Sequence, residues 1–411
     1  MENKIDKYWL NLDPNTFIFE GCSEFVLYNA DFKTIVKIAK TETINRLMYG
    51  FLNVNNLYTL LVSDNDLDNP EINNFISILR QNFMGDVFYT AVTKPITIPP
   101  VMKCHSTLRG DIKNENLLSM LNELTFYING SCDKECLHCS EYCKQFLSCH
   151  KNSGYLRFTD IKNIIINVTR IVPSLKINIC GGNLSDYSDI NDLVLFFRIK
   201  NINAHFYINY TNLTCDFVEK INSKNITLHV LVNFPVSNNI LFDKIAFLGK
   251  VRCNIVYNFI LTSDEDIVTL DKLSNCYSIN NYQVIPFYTG NNLSFFHKYV
   301  YLSLDDLMAD LPSKQQIHQK MIVNLNNFGK IIVSSTGHVY SNLNFPPLGH
   351  ISKDTLPDLI EKEWNNGKSW KQIRNTKPCI ECAFKYLCPS PSNYEYILKK
   401  PNLCHININE N

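Results

Sequence analysis

Cys132-Asp-Lys-Glu-Cys136-Leu-His-Cys139 follows directly on Glu123 to Gly130, a run of strand-forming residues. Three thiolates at C-x3-C-x2-C spacing can converge on one metal cluster and leave one of its metal atoms without a protein ligand. The surroundings of this run decide the fold. From about residue 120 to 290, strand-like and helix-like segments alternate. Strands are predicted at Glu123 to Gly130, Lys176 to Gly181, Ala204 to Tyr210, Ile226 to Phe234, Cys253 to Leu261 and Tyr282 to Tyr288. Between them run helical stripes such as Ile161, Ile164, Ile165 and Val168, then Ile190, Leu193, Val194 and Phe197. Six such βα units imply a parallel sheet, either open and doubly wound or a partial barrel. In both, ligands sit at the carboxyl ends of the strands, where the cysteine run lies.

The whole chain has 411 residues, 39 basic and 39 acidic side chains, 45% hydrophobic residues and fifteen cysteines. This length suggests two or three domains with ample core. A net charge of zero argues against nucleic-acid and membrane-surface partners, leaving a small molecule or a peptide. The start, Met1 to Leu10, has no apolar core of signal-peptide length, and no stretch has the apolar length of a membrane span. The expected location is the cytoplasm, where clustered cysteines bind metal or do redox chemistry rather than pair.

Upstream of the cysteine run, Thr16 to Glu20, Glu24 to Tyr28 and Phe32 to Ile38 read as a three-stranded meander. A helix follows between Pro70 and Gly85, with Ile72, Phe75, Ile76, Leu79 and Phe83 at helical spacing. Downstream, residues 291–325 read as a linker with one helix. The last 85 residues are rich in turn formers and carry Cys379-Ile-Glu-Cys382-Ala-Phe-Lys-Tyr-Leu-Cys388, with Cys404 beyond. Four such thiolates satisfy a metal centre completely. A zinc ribbon is the plain alternative here. For the first run the alternatives are a structural zinc loop or buried cysteines. Cys143, one helical turn after Cys139, and Cys149 read as buried apolar residues on the first helix, with ligation by Cys143 as the other possibility.

The C-x3-C-x2-C run at the end of the first strand resembles the radical SAM signature. The resemblance implies a [4Fe–4S] cluster on Cys132, Cys136 and Cys139, whose open iron is chelated by S-adenosyl-L-methionine. Electron transfer then cleaves that cofactor to a 5′-deoxyadenosyl radical. Ile177-Asn-Ile-Cys-Gly181-Gly182-Asn183 is similar to the Gly-Gly-Glu segment that meets the methionine end of the cofactor, with Asn183 in place of Glu. His138 stands at the position that is often aromatic, against the adenine. The C-terminal run resembles the SPASM domain of peptide-modifying enzymes. Ser392 and Ser341 stand where that pattern has cysteines for an inner auxiliary cluster, so only the outer cluster is expected, on Cys379, Cys382, Cys388 and Cys404. Leu387 to Glu395 with Lys400 to Cys404 resembles a narrower group, the SPASM proteins of Bacteroidales peptide natural-product systems, some called pseudo-radical-SAM proteins. The resemblance covers about residues 120–411. A weaker similarity links the N-terminal strands and helices to the RiPP recognition element, with an αβ cap that binds no ligand as the plain alternative.

The fold expected from these readings is α/β: a partial (β/α)6 TIM-type barrel over 118–290, a small winged-helix-like α+β domain over 1–95, the linker, and a cysteine-rich SPASM domain over 326–411. The expected function is a radical SAM/SPASM maturase that abstracts a hydrogen atom from a ribosomally made precursor peptide. Its leader would bind the N-terminal domain, and a flavodoxin or ferredoxin would supply electrons. The alternative is a catalytically degenerate iron–sulfur protein that binds the precursor and partners a second, active maturase. Asn183 and the absence of a Ser-x-Asp-Gly type segment at Val232 to Pro235 favour that alternative; the intact cysteine run favours the enzyme.

Overall fold

The computed structural model describes residues 7–90, 93–100 and 117–406; the outer ends of the first and last expected domains, 1–6 and 407–411, lie outside the described residues. The chain opens with β1 (Lys7–Leu12), β2 (Thr16–Glu20), β3 (Glu24–Asn29) and β4 (Thr34–Ala39). β2, β3 and β4 form the expected meander, with Phe17 opposite Tyr28 and Phe25 opposite Ile38. Thr41 then caps α1 (Glu42–Leu52), its side chain accepting from the Ile44 amide. After β5 (Thr59–Ser63) and α2 (Asp64–Leu67), α3 (Pro70–Gln81) begins as predicted, with Asn69 as cap and proline in the first turn. β6 (Gly85–Tyr89) follows.

A second small sheet, in the order β5-β1-β6, was not foreseen. Its strands pair antiparallel across long stretches of chain, so no hairpin turn marks them. The meander is buried on both faces. Ile18, Phe25, Leu27 and Ile38 pack with α1 and α3. Phe17, Phe19, Val26 and Tyr28 face Leu307, Leu311, Ile317, Met321, Phe384 and Leu387.

The central sheet is built from β7 (Glu123–Tyr127), β8 (Lys176–Cys180), β9 (Ala204–Asn209), β10 (Ile226–Asn233), β11 (Asn254–Leu261) and β12 (Tyr282–Pro286). All six expected strands are present, each pair of neighbours is parallel, and their spatial order is their sequence order. An unreversed order excludes the doubly wound alternative, whose strand order turns back at a switch point. The crossover helices therefore lie on one face. α5 (Phe158–Thr169), α6 (Ile190–Ile199), α7 (Cys215–Ile221), α8 (Asn238–Leu248) and α9 (Asp264–Tyr277) all join one core with Phe126, Ile179, Phe206, Val230 and Phe259 of the strands. The preceding helix, α4 (Cys139–Gln145), goes elsewhere: Tyr142, Cys143 and Phe146 cover the opposite, inner face, against Tyr127, Cys180, Tyr207 and Phe287.

Three short helices, α10 (Leu293–Tyr299), α11 (Leu304–Ala309) and α12 (Lys314–Lys320), occupy the segment expected to hold one. Capping boxes at Ser303 and Ser313 divide the last two. β13 (Lys330–Val333) then pairs parallel with β7, and β14 (His338–Tyr340) and β15 (Gly349–His350) extend the same sheet antiparallel to nine strands. The C-terminal part is thus continuous with the sheet. α13 (Leu356–Asn366) and α14 (Asn393–Leu398) complete it. Among the described residues no helix is long and apolar enough to cross a membrane.

Candidate functional site

Cys132, Cys136 and Cys139 lie beyond the carboxyl end of β7, in the chain leaving that strand and at the first residue of α4. The segment after β8 holds this loop closely: the Gly182 amide donates to the Asn129 carbonyl and the Asn183 amide to the Ser131 carbonyl. A β-carbon on Gly182 would stand 2.2 Å from the Ser131 carbonyl oxygen, and one on Gly181 2.2 Å from Asn129 Oδ1. Only glycine fits so close an approach. From the other side the His150 amide donates to the Gly181 carbonyl at 2.8 Å, and the Lys151 amide to Cys139 Sγ at 3.2 Å. Asn212, just after β9, donates through Nδ2 to Cys132 Sγ at 3.6 Å.

Cys136 is a half-buried thiol whose pKa is raised first by burial and then by the nearness of Cys139 and Cys132, against the pull of Lys134 and Lys151. The three sulfurs thus share one electrostatic neighbourhood. Three buried polar atoms around them have no protein partner: Asn129 Oδ1, Asn212 Oδ1 and His150 Nδ1. Orphaned acceptors and donors beside a thiol-bearing loop suit a polar group bound there. Among the described residues, no three His, Cys, Asp or Glu side chains already stand in a metal-binding arrangement.

His138 caps the start of α4, its Nδ1 lying 2.9 Å from Glu141 and its ring 5.1 Å from that of Phe287. Asn183 is engaged within its own turn: Oδ1 accepts from the Ser185 amide, and Nδ2 donates to Asp186 at 3.0 Å. Cys143 and Cys149 are both partly buried in apolar surroundings, but only Cys143 lies on α4; Cys149 stands beyond its end, whereas the sequence reading places both on that helix. Burial pushes the Cys143 thiol up to about 12, with Cys139 adding to it. Cys149 is also raised by burial, and it feels all three of Cys139, Cys136 and Cys132. Of the two, Cys149 is the one that faces the whole loop.

At the other end of the chain Cys379, Cys382, Cys388 and Cys404 all line one cavity of about 240 Å³. Burial raises the first three thiols, Cys388 to about 12. This spacing and enclosure fit a four-thiolate metal centre. Ser392 also lines that cavity, with its side chain in the capping box of α14. Ser341 lies in a different cavity of about 230 Å³ under α4, where it donates to Glu363. The second cavity is bordered by Asn326, Asn327, Asn342 and Asn393, and Asn342 donates to Asn393 at 2.7 Å. Ser341 is thus tied to Glu363, beside a separate asparagine network in which Asn342 donates to Asn327 and Asn393.

Sequence reasoning missed Asn129, Asn212 and His150 at the first site and Arg374 at the second. A polar residue just past the end of a parallel strand is a signal for the first two. For His150 and Arg374 there is none short of the folded structure.

No family model matches the sequence, and no curated protein matches it. Among solved structures the chain is similar to Streptococcus suis SuiB, at 15% identity and a TM-score of 0.50, with 97% of this chain and 99% of that one covered. SuiB bound to its precursor peptide SuiA gives 14% identity, a TM-score of 0.50, and coverage of 98% and 100%. At such identity what is shared is the fold, over nearly the whole of both chains: a mixed α/β architecture around a large parallel sheet.

Proposed function

We propose that the chain is a radical SAM maturase acting on a ribosomally made precursor peptide. The observation that carries this reading is the position of the C-x3-C-x2-C loop, beyond the carboxyl ends of six sequentially ordered parallel strands and pressed against the Gly181-Gly182 segment. In this reading Cys132, Cys136 and Cys139 hold a [4Fe–4S] cluster, and Gly181, Gly182, Asn183 and His138 border its S-adenosyl-L-methionine. The bound pair supplies hydrogen-atom abstraction. The chain's own part is to orient the loop through Asn129, Asn212 and the 150–151 backbone, and to keep water out with the α4 cover over Tyr127 and Cys180. Cys379, Cys382, Cys388 and Cys404 hold the second cluster, with residues 118–290 as the barrel and 326–411 as the SPASM domain.

Residues 1–95 are read as the precursor-binding domain. The fold is shared with a protein crystallised with a precursor peptide. A groove of about 380 Å³ runs along the edge strand β5, bordered by Trp9, Arg46, Leu60 and Asp66. An added peptide strand would pair there. The second reading, a degenerate partner of an active maturase, is favoured by Asn183, which offers no carboxylate and spends its side chain on Ser185 and Asp186. Anaerobic reconstitution decides between them. About eight irons per chain, falling to about four when Cys132, Cys136 and Cys139 become Ala, with 5′-deoxyadenosine formed by the wild type alone, is the expected result. Iron without 5′-deoxyadenosine selects the second reading, and zinc without sulfide sinks both.

A further inference from the structure

Two cations, Arg374 and Lys385, line the cavity of the four C-terminal cysteines, and Arg374 is the one that reaches a sulfur. Its side chain is 12% exposed and Glu395, its partner at 2.9 Å, only 4%. Nε donates to the Pro389 carbonyl at 2.7 Å, and Nη1 also points to Cys379 Sγ at 3.7 Å. Both Arg374 and Glu395 line the cavity of the four C-terminal cysteines. A guanidinium cannot shed its proton, so it is a fixed positive charge. Burying one is costly unless it is paired. A lone structural ion pair needs no sulfur beside it, whereas here one nitrogen, Nη1, is shared between a carboxylate and a thiol of the cysteine cavity.

Resting on the reading that these cysteines hold an iron–sulfur cluster, we infer that Arg374 sets that cluster's reduction potential, with Glu395 as its counterweight. A cluster held there would gain one negative charge, with no bond made or broken, on taking one electron from a reduced flavodoxin or ferredoxin. A cation against a ligand sulfur stabilises the reduced form, and net charge and hydrogen bonds to sulfur are levers on such potentials. The carboxylate at 2.9 Å from the guanidinium works the other way. Removing either charge should therefore move the potential, in opposite directions. Simple loss of packing would not reverse sign between the two.

The test uses the full chain with Cys132, Cys136 and Cys139 changed to Ala, so that only the C-terminal cluster contributes. About four irons and four sulfides per chain establish the cluster; their absence overturns the ligand reading and this inference with it. Redox titration followed by electron paramagnetic resonance then reads the midpoint. In Arg374→Gln the reduction equilibrium should fall about tenfold or more, a downward shift of about 59 mV for one electron. In Glu395→Gln the midpoint should rise, and Arg374→Lys should lie between Arg374→Gln and the parent. Should Arg374→Gln lose its iron, Glu395→Gln and Arg374→Lys still report. Full iron content with midpoints unmoved, or moved the same way by Arg374→Gln and Glu395→Gln, would overturn the inference.

Discussion

At Gly182 one hydrogen atom separates this site from a different one. Replacing it with Ala puts a methyl group 2.2 Å from the Ser131 carbonyl oxygen, closer than any real contact, so the loop carrying Cys132 must move. Overpacking of this kind costs about 1–3 kcal/mol. Gly182→Ala should therefore lower stability by that amount in urea titration and halve the iron bound on reconstitution. Unchanged iron content would show that the loop does not depend on this contact. The cysteines and glycines were legible in the sequence because their chemistry lies in short spacings. Asn129 and Arg374 stand near the cysteines in the chain but belong to no short motif, and Asn212 reaches Cys132 only when segments 80 positions apart close together.

Strands β7 to β11 were readable for a physical reason: parallel strands covered on both faces are nearly continuous apolar runs, whereas β12, at the sheet edge, is largely exposed. β13, only four residues long, and β1, β5 and β6, which find partners far along the chain, gave no such pattern. Polar positions on the inner face tell a further story about the sheet as an element. His229 of β10 stacks on Tyr207 at 4.3 Å, stands 3.0 Å from His205, and meets Asn258 of β11 at 3.2 Å. Burial first, then His205 and Lys176, lower its pKa to about 4. The unfolded chain, with an ordinary value near 6.5, binds this proton more readily than the folded one. The stability contributed is therefore full above about pH 6.5 and is lost as the pH falls toward 4, by about 3 kcal/mol. Urea unfolding at pH 7 and pH 5 should show about 2 kcal/mol of this loss in the wild type and a smaller one in His229→Gln. Equal slopes in the two proteins would refute it.

For the molecule as a whole the meander β2–β4 is the joint. Its outer face, Phe17, Phe19, Val26 and Tyr28, fills a core shared with α11, α12 and the second cysteine segment. Tyr28 donates to the Pro312 carbonyl at 2.6 Å, and Lys37 lies over the Phe384 ring. Excising residues 1–90 should therefore uncover Leu307, Leu311, Ile317, Met321 and Phe384 together, and the remainder should aggregate on size-exclusion chromatography. A soluble, monomeric remainder would refute this. It follows that precursor binding is better tested by point variants along β5 than by truncation. The joint also sets a schedule for biosynthesis. Tyr28 waits for a partner 284 positions downstream, and the Gly21–Cys22 turn for Glu381, 359 positions beyond Cys22. At the usual 5–20 residues per second, a ribosome needs roughly 20–70 s to deliver the later of these. Throughout that interval the first domain leaves the exit tunnel with an aromatic face uncovered, which makes it a client for chaperones until the last cysteines have been translated.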